Sequence, residues 1–280
     1  MKRRTFISLM SVMAAAGALS LAGCSSSKSA SSAAANKLEA VQSNGKLVVA
    51  LEGAWQPWSF HDENDTLVGY DVEVSRAIAE KLGVEPEYVE SDWDSLFAGL
   101  DAGRYDLVCN GVEVTEERAK TYDFTTPYGY IHTALAVRKD NDDIKSVDDL
   151  ADKNVAVQSG SNGPAILEEF APKASQQEFK TDEEARQALQ QGRVDAYVID
   201  NNMQQSALVR EPGKYKIAGK PFGSKEPYGI GLPLDSDGVA FVNDFLKKIE
   251  DDGTWTELWQ ICIGDRTGDT NVPELPEIGA

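Results

Sequence analysis

Between Tyr105 and Arg118 the chain reads Y-D-L-V-C-N-G-V-E-V-T-E-E-R, an apolar run that turns polar and ends on an arginine. Thr115 is suited to cap a helix, which puts Arg118 in the first helical turn, against the partial positive charge and unpaired N–H groups of a helix start. A cation there is mildly unfavourable unless an anion lies beside it, and a guanidinium grips a carboxylate through two parallel hydrogen bonds. The alternative is a solvated pair with Glu116 or Glu117. Ligands of open α/β sheets collect beyond the carboxyl ends of strands, where Asn110, Gly111 and Glu113 are expected, and Gly111 lets backbone approach a ligand closely. Asp200 ends the apolar run Val194 to Ile199. It is either the N-cap of the next helix or an acceptor for an ammonium. The polar glycine loop Ser159-Gly160-Ser161-Asn162-Gly163 opens a helix near Pro164 and offers free N–H groups as a second anion site.

These residues have to be positioned by alternating strands and helices. Lys46 to Leu51 reads as a strand, followed by Glu52-Gly53-Ala54-Trp55-Gln56-Pro57-Trp58, a loop too rich in aromatic and polar groups to be a plain core turn. Residues 59–68 read as a hairpin and 71–82 as an amphipathic helix stopped by Gly83. Tyr88-Val89 predicts a strand, 94–102 a helix and 105–109 a strand. A second series comes next: a strand at 133–138, a capping box at Ser146 and Asp149, a strand at 154–158, helices at 164–170 and 181–192, and strands at 194–199 and 227–234. Helices at 237–250 and 254–263 close the chain. Alternation of this kind means mainly parallel sheets.

The N-terminus carries an export signal. Lys2, Arg3 and Arg4 precede an apolar run from Phe6 to Leu21, ending in Leu21-Ala22-Gly23-Cys24. The ending resembles the lipobox of bacterial lipoproteins, which implies cleavage after residue 23, lipidation of Cys24 and a lipid anchor on the extracytoplasmic face of the cell membrane. Arg3-Arg4-Thr5-Phe6-Ile7 loosely resembles a twin-arginine signal, although an ordinary basic start accounts for it equally. Residues 24–44, rich in serine and alanine at first, read as a flexible tether. Removing residues 1–23 takes three cations, moving the formal charge from −19 to −22. So acidic a surface repels nucleic acid and anionic membrane. Of the three cysteines, Cys109 and Cys262 remain after Cys24, as buried thiols or one disulfide. His61 and His132 lie far apart, so they suggest no metal site. Asp62, Asn64 and Glu73 match parts of a calcium loop, but Leu67 stands where its turn needs glycine. No cofactor is implied.

Gly69-Tyr70-Asp71-Val72-Glu73-Val74, Arg104-Tyr105-Asp106, Thr115-Glu116-Glu117-Arg118, Tyr122-Asp123-Phe124-Thr125-Thr126-Pro127-Tyr128 and Tyr228-Gly229-Ile230-Gly231-Leu232 occur in this order. Together they resemble the family 3 extracellular solute-binding proteins, the amino-acid-capturing components of ABC importers, over about residues 45–265. The resemblance implies a two-lobed, periplasmic-binding-protein-like α/β fold of type II, each lobe a mainly parallel sheet flanked by helices. Lobe 1 would comprise residues 45–131 and 233–266 and lobe 2 residues 132–232, with a two-stranded hinge between them and a loose tail at 267–280. Closure of the lobes would bury the ligand.

Carried over by position, Arg118 would hold the α-carboxylate of an amino acid, helped by backbone near Asn162. Asp200 would hold the α-ammonium, with Asn110 and Gly111 backbone nearby. Trp55 and Trp93 stand where aromatic rings meet the ligand side chain, and Glu52 where a polar or acidic residue reads its far end. Glu113 replaces the small hydroxyl residue usual at its position, so its contact with the ammonium would be electrostatic or through water. The implied partners are an amino-acid ligand, permease subunits and, through lipid, the membrane. Glu113 as a general acid or base gives the alternative of a lyase or dehydratase on the same fold; a sensor domain is a weaker third choice, because the chain carries no later membrane span or signalling domain. For the substrate, uncompensated Glu52 and Glu113 argue for lysine, arginine or ornithine. The run Leu51-Glu52-Gly53 with Pro57-Trp58-Ser59-Phe60 most resembles cystine-binding members, with a neutral polar amino acid such as glutamine behind both.

Overall fold

The computed structural model describes residues 37–268. The expected signal segment, Cys24, residues 24–36 of the tether and the tail beyond residue 268 lie outside the described residues. Two α/β lobes are built on one sheet whose strands run in the order β10-β9-β11-β8-β13-β6-β1-β5.

The first lobe begins with helix α1 (Lys37–Asn44) and strand β1 (Lys46–Leu51). Strands β2 (Ala54–Trp55), β3 (Ser59–His61) and β4 (Leu67–Val68) form a separate small antiparallel sheet. Helix α2 (Tyr70–Leu82) leads to β5 (Glu85–Glu90), and α3 (Trp93–Asp101) to β6 (Leu107–Glu113). β1 lies parallel to both β5 and β6. α2 forms because Val74, Ile78 and Tyr70 recur on one buried face. It stops where Gly83, at φ 73°, returns its N–H to the last turn.

β7 (Tyr122–Phe124) pairs with the far end of the sheet's long return strand, and β8 (Gly129–Arg138) passes into the second lobe. There β9 (Asn154–Gln158) lies parallel to β10 (Ser175–Phe179) and β11 (Ala196–Asp200), with helices α4 (Gly163–Phe170), α5 (Asp182–Gln190) and α6 (Asn201–Arg210). β12 (Tyr215–Ile217) pairs with β8. β13 (Phe222–Pro233) then runs antiparallel to both β8 and β6, so these two long strands stitch the lobes together. Helices α7 (Gly238–Asp251) and α8 (Thr254–Trp259) pack on lobe 1, and after a π-helical turn at Gln260–Gly264 the short helix α9 (Asp265–Thr267) packs against α6 of lobe 2.

Several sequence expectations need correction. Residues 37–44 of the expected tether form α1, which docks through Val41, a Leu38 N–H donated to Asp237 at 3.0 Å, and a Lys37–Asp106 ion pair at 2.9 Å. One buried side chain is too weak a periodic signal to announce a helix. The strand expected at 105–109 instead spans Leu107–Glu113, so Asn110, Gly111 and Glu113 lie within it rather than beyond it. Thr115 does accept the Arg118 N–H at 3.2 Å, but the helix it opens is a single 3-10 turn, Arg118–Lys120. β7, β10 and β12 have no counterpart among the expected strands; the polar run Ser175–Phe179 shows no alternation because it is an exposed edge. Cys109 and Cys262 are buried free thiols.

β6 has one irregularity that shapes everything beside it. It pairs with β13 at Glu113–Tyr228 and Val112–Gly229, then at Val108–Gly231. Cys109, Asn110 and Gly111 are therefore set against Ile230 alone, a bulge in which Gly111 takes φ +54°. A bulge frees ladder groups and re-aims side chains, and the left-handed conformation explains a glycine at its end.

Candidate functional site

Where the two lobes face each other, a cavity is walled by Trp55, Trp93, Gly111 and Glu113 from lobe 1 and by Ser161, Asn162, Gly163 and Asp200 from lobe 2. Ile131 and Thr133 of β8, with Val198, Ile199 and Ile166, complete the wall. Trp55 and Trp93 stack with centroids 6.2 Å apart and planes 14° from parallel. The buried Trp55 indole N–H has no partner. It lies beside Gly111, whose Cβ position faces Trp55 and Trp58.

Six of the expected site residues thus share this cavity: Trp55, Trp93, Gly111, Glu113, Asn162 and Asp200. Glu52, Asn110 and Arg118 stand around it. Arg118 donates from Nη1 to the Glu113 carbonyl at 2.9 Å and, at 3.5 Å, from Nη2 to the Gly160 carbonyl of the facing lobe. Its guanidinium packs 5.4 Å from the Trp93 ring centroid, on the rim rather than in the wall. Burial lowers its pKa, while Glu113 and Glu117 act in the opposite sense. Two of five guanidinium N–H groups are so engaged, leaving donors for an anion.

Asp200 takes the first of the roles weighed for it, the helix cap. One carboxylate oxygen caps α6 by accepting the Asn202 N–H at 2.5 Å, and the other accepts the Trp58 indole N–H at 2.8 Å. Yet its side chain also faces the cavity. Burial raises its pKa to about 7, against the lowering effect of those bonds. Glu113 is likewise raised to about 7, by burial first, with Arg118 pulling the other way.

Glu52 lies on the far side of Trp55, where a second, more open cleft runs between Glu90, Ser91 and Asp92 of lobe 1 and Thr181, Asp182 and Glu183 of lobe 2. Its carboxylate accepts Asn110 Nδ2 at 3.0 Å and Gln158 Nε2, from the facing lobe, at 3.2 Å. Asn110 Oδ1 in turn accepts the Glu52 N–H at 2.8 Å. Here too burial is the largest influence and takes the carboxyl to about 7. The Trp93 indole donates to the Gly160 carbonyl at 2.9 Å, and Lys180 meets Asp92 at 2.5 Å. Trp58–Asp200, Glu52–Gln158, Trp93–Gly160 and Lys180–Asp92 all cross between lobes, so the described state is a closed one.

Two participants escape sequence reasoning. Trp58 reads only as part of an aromatic loop, although it carries the cross-lobe bond to Asp200. Gln158 ends an otherwise apolar strand just before the glycine loop, the same signal that draws attention to Asp200.

The profile of the "Bacterial extracellular solute-binding proteins, family 3" matches residues 47–264. The chain belongs to this family. It is 34% identical over 258 residues to the L-cystine-binding protein TcyJ of Escherichia coli (strain K12), covering 91% of this chain and 94% of that one. Among solved structures, an ancestral arginine-binding protein bound to arginine superposes with a TM-score of 0.74 at 38% identity, over 79% of this chain and 99% of its own. The ancestral amino acid-binding protein AncCDT-1, a precursor of cyclohexadienyl dehydratase, gives 0.74 at 33% identity, over 81% and 98%. The two-lobed fold and the amino-acid-binding class of ABC-transporter substrate-binding proteins follow from family membership. The family is extracellular by its description, and no helix among the described residues is long and apolar enough to cross a membrane.

Proposed function

We propose that this family member captures an amino acid whose far end brings a second cation, either a basic amino acid or cystine, and delivers it to an ABC import permease while anchored to the membrane through lipidated Cys24. The observation that carries the reading is the setting of Glu52. Its carboxylate is held across the cleft by two neutral amides, Asn110 and Gln158, and burial raises it to about 7. A buried carboxylate without a cation is costly, and a guest ammonium or guanidinium offsets that cost. Arg118 and the N–H groups near Asn162 would take the α-carboxylate; Asp200 and the Gly111 backbone, with Glu113 acting through its charge, would take the α-ammonium. Trp55 and Trp93 would sandwich the side chain between these ends. Relatives named for cystine and for arginine support the class. The alternative of a lyase using Glu113 is not favoured, because the matched family and the cystine-binding relative are solute-binding proteins.

A thermal-shift panel of the common amino acids with cystine and ornithine, followed by calorimetry, tests this. Basic amino acids or cystine should stabilise the protein in proportion to their concentration, and Glu52→Gln should remove that response. Arg118→Ala and Asp200→Ala should each abolish tight binding; retention within about threefold of wild type, under ~1 kcal/mol, refutes the assigned clamp. A response to glutamate alone would overturn the substrate class.

A further inference from the structure

A buried carboxylate outside the cavity lies one hydroxyl away from its Gly111 wall. Asp71, in the first turn of α2, is completely buried, as is Tyr128 at the entry to β8. The Tyr128 hydroxyl donates to Asp71 Oδ1 at 2.7 Å and accepts the Gly111 N–H at 3.3 Å. The backbone N–H of Asp71 donates to the Trp58 carbonyl at 2.9 Å, and Trp58 is the residue that reaches across to Asp200. Tyr128 itself is held in place: its carbonyl accepts from Tyr70 Oη at 3.0 Å and from the Trp255 indole at 3.3 Å.

We propose that Asp71 is a positioning residue for amino-acid binding, holding the Gly111 bulge through the Tyr128 hydroxyl so that the cavity floor is set before a ligand arrives. The inference rests on the reading of the cavity as an amino-acid site. A hydroxyl can point its hydrogen either way, and only a partner that accepts without donating fixes it. An ionised carboxylate is such a partner: it draws the Tyr128 hydrogen to itself and leaves the oxygen lone pairs for the Gly111 N–H. Protonated, Asp71 can donate instead, and the hydroxyl is free to turn away from Gly111. Asp71 Oδ2 is buried with no hydrogen-bond partner, which makes proton uptake there favourable.

The groups facing Asp71 are Tyr128, Cys109 of β6 and, by charge, Asp200 of lobe 2; Tyr70, Tyr228 and Cys262 feel its charge in turn. Burial, with Asp200 adding to it, raises Asp71 to about 7 in spite of the Tyr128 hydrogen bond and the nearby Gly111 N–H. An ammonium seated near Gly111 and Asp200 would favour the ionised form. Affinity should then rise with pH through this range, and the part owed to Asp71 should vanish when it cannot titrate.

Two readouts test this. In ligand-free protein, the Gly111 amide resonance should titrate in wild type, with Glu113 and Asp200 contributing beside Asp71, and Asp71→Asn should remove most of the change. A titration of undiminished amplitude in Asp71→Asn overturns the proposal, whatever the site binds. By calorimetry with L-arginine and L-cystine, Tyr128→Phe should weaken binding about tenfold. The wild-type advantage over Asp71→Asn should be small at about pH 5.5 and grow about fivefold by about pH 8.5. A ratio constant with pH, or binding by both variants within about twofold of wild type, overturns it. Wild type that binds neither amino acid contradicts the reading of the cavity, and the Gly111 resonance still decides the role of Asp71.

Discussion

The two clefts that meet at Trp55 are both acidic, but they handle charge in opposite ways. In the outer cleft three carboxylates of the rim meet basic groups of the protein's own: Asp92 meets Lys180, Glu90 meets His61 Nε2 at 3.0 Å, and Asp182 takes Arg186 Nε at 2.6 Å and the Tyr197 hydroxyl at 3.0 Å. Facing the inner cavity, Asp200 meets only neutral N–H donors, as does Glu52 behind Trp55, and burial raises both, with Glu113, to about 7, while Arg118 spends its hydrogen bonds on carbonyl groups. Charge balanced within the chain holds structure together. Charge left unbalanced is available to a guest.

The largest effect expected from breaking this contrast is on the balanced side. Arg186→Ala strands the buried Asp182 carboxylate and also removes bonds to Gln204 and the Met203 carbonyl. Urea unfolding should show a loss of about 3–5 kcal/mol, and adding Asp182→Leu should restore much of it. Recovery of nothing would mean that Arg186 acts by packing alone.

On the unbalanced side the effect appears as pH dependence. Asp71 and Asp200 rise from 3.8, and Glu52 and Glu113 from 4.5, to about 7 in the folded chain. Each binds its proton more readily folded than unfolded, so the stability it contributes is fully present below about pH 4 and is lost as pH rises through about 7. Ligand-free protein should therefore lose about 2 kcal/mol or more across that window, and denaturant melts at several pH values measure it. A flat profile would mean that these carboxyls titrate as in water.

The smallest effect isolates one group. Asparagine caps a helix as well as aspartate does, so Asp200→Asn should keep α6 and remove a buried charge, but it sets an NH2 group against the Trp58 indole N–H. At about pH 8 the two effects oppose each other, so stability should stay within about 1 kcal/mol of wild type while amino-acid affinity is lost. A larger loss of stability would show that the Asp200 charge is compensated in the free protein.

Much of this is legible in the sequence because the relevant signals are local. Asn154–Gln158 and Tyr70–Leu82 announce themselves by apolar pattern and by Gly83, and the Ser146–Asp149 capping box forms as written. Asp200 at a strand's end is visible for the same reason. The bulge at Cys109 to Gly111 is not, because it exists only relative to β13, more than a hundred residues away. Nor is the bond from Trp58 to Asp200, which needs both lobes in place. Arg118 is drawn out by its unfavourable position, but its lodging behind Trp93 depends on tertiary packing that spacing cannot express.

Helix α1 has a mechanical meaning. Its ion pair from Lys37 to Asp106 and the Leu38 N–H on Asp237 rivet the first described residues to lobe 1, on the side of β1 and α7 away from the cleft. A pull applied at that end is therefore borne first by lobe 1. An anchor there would make lobe 1 the frame, with lobe 2 reached only across β8, β13 and the contacts between the lobes.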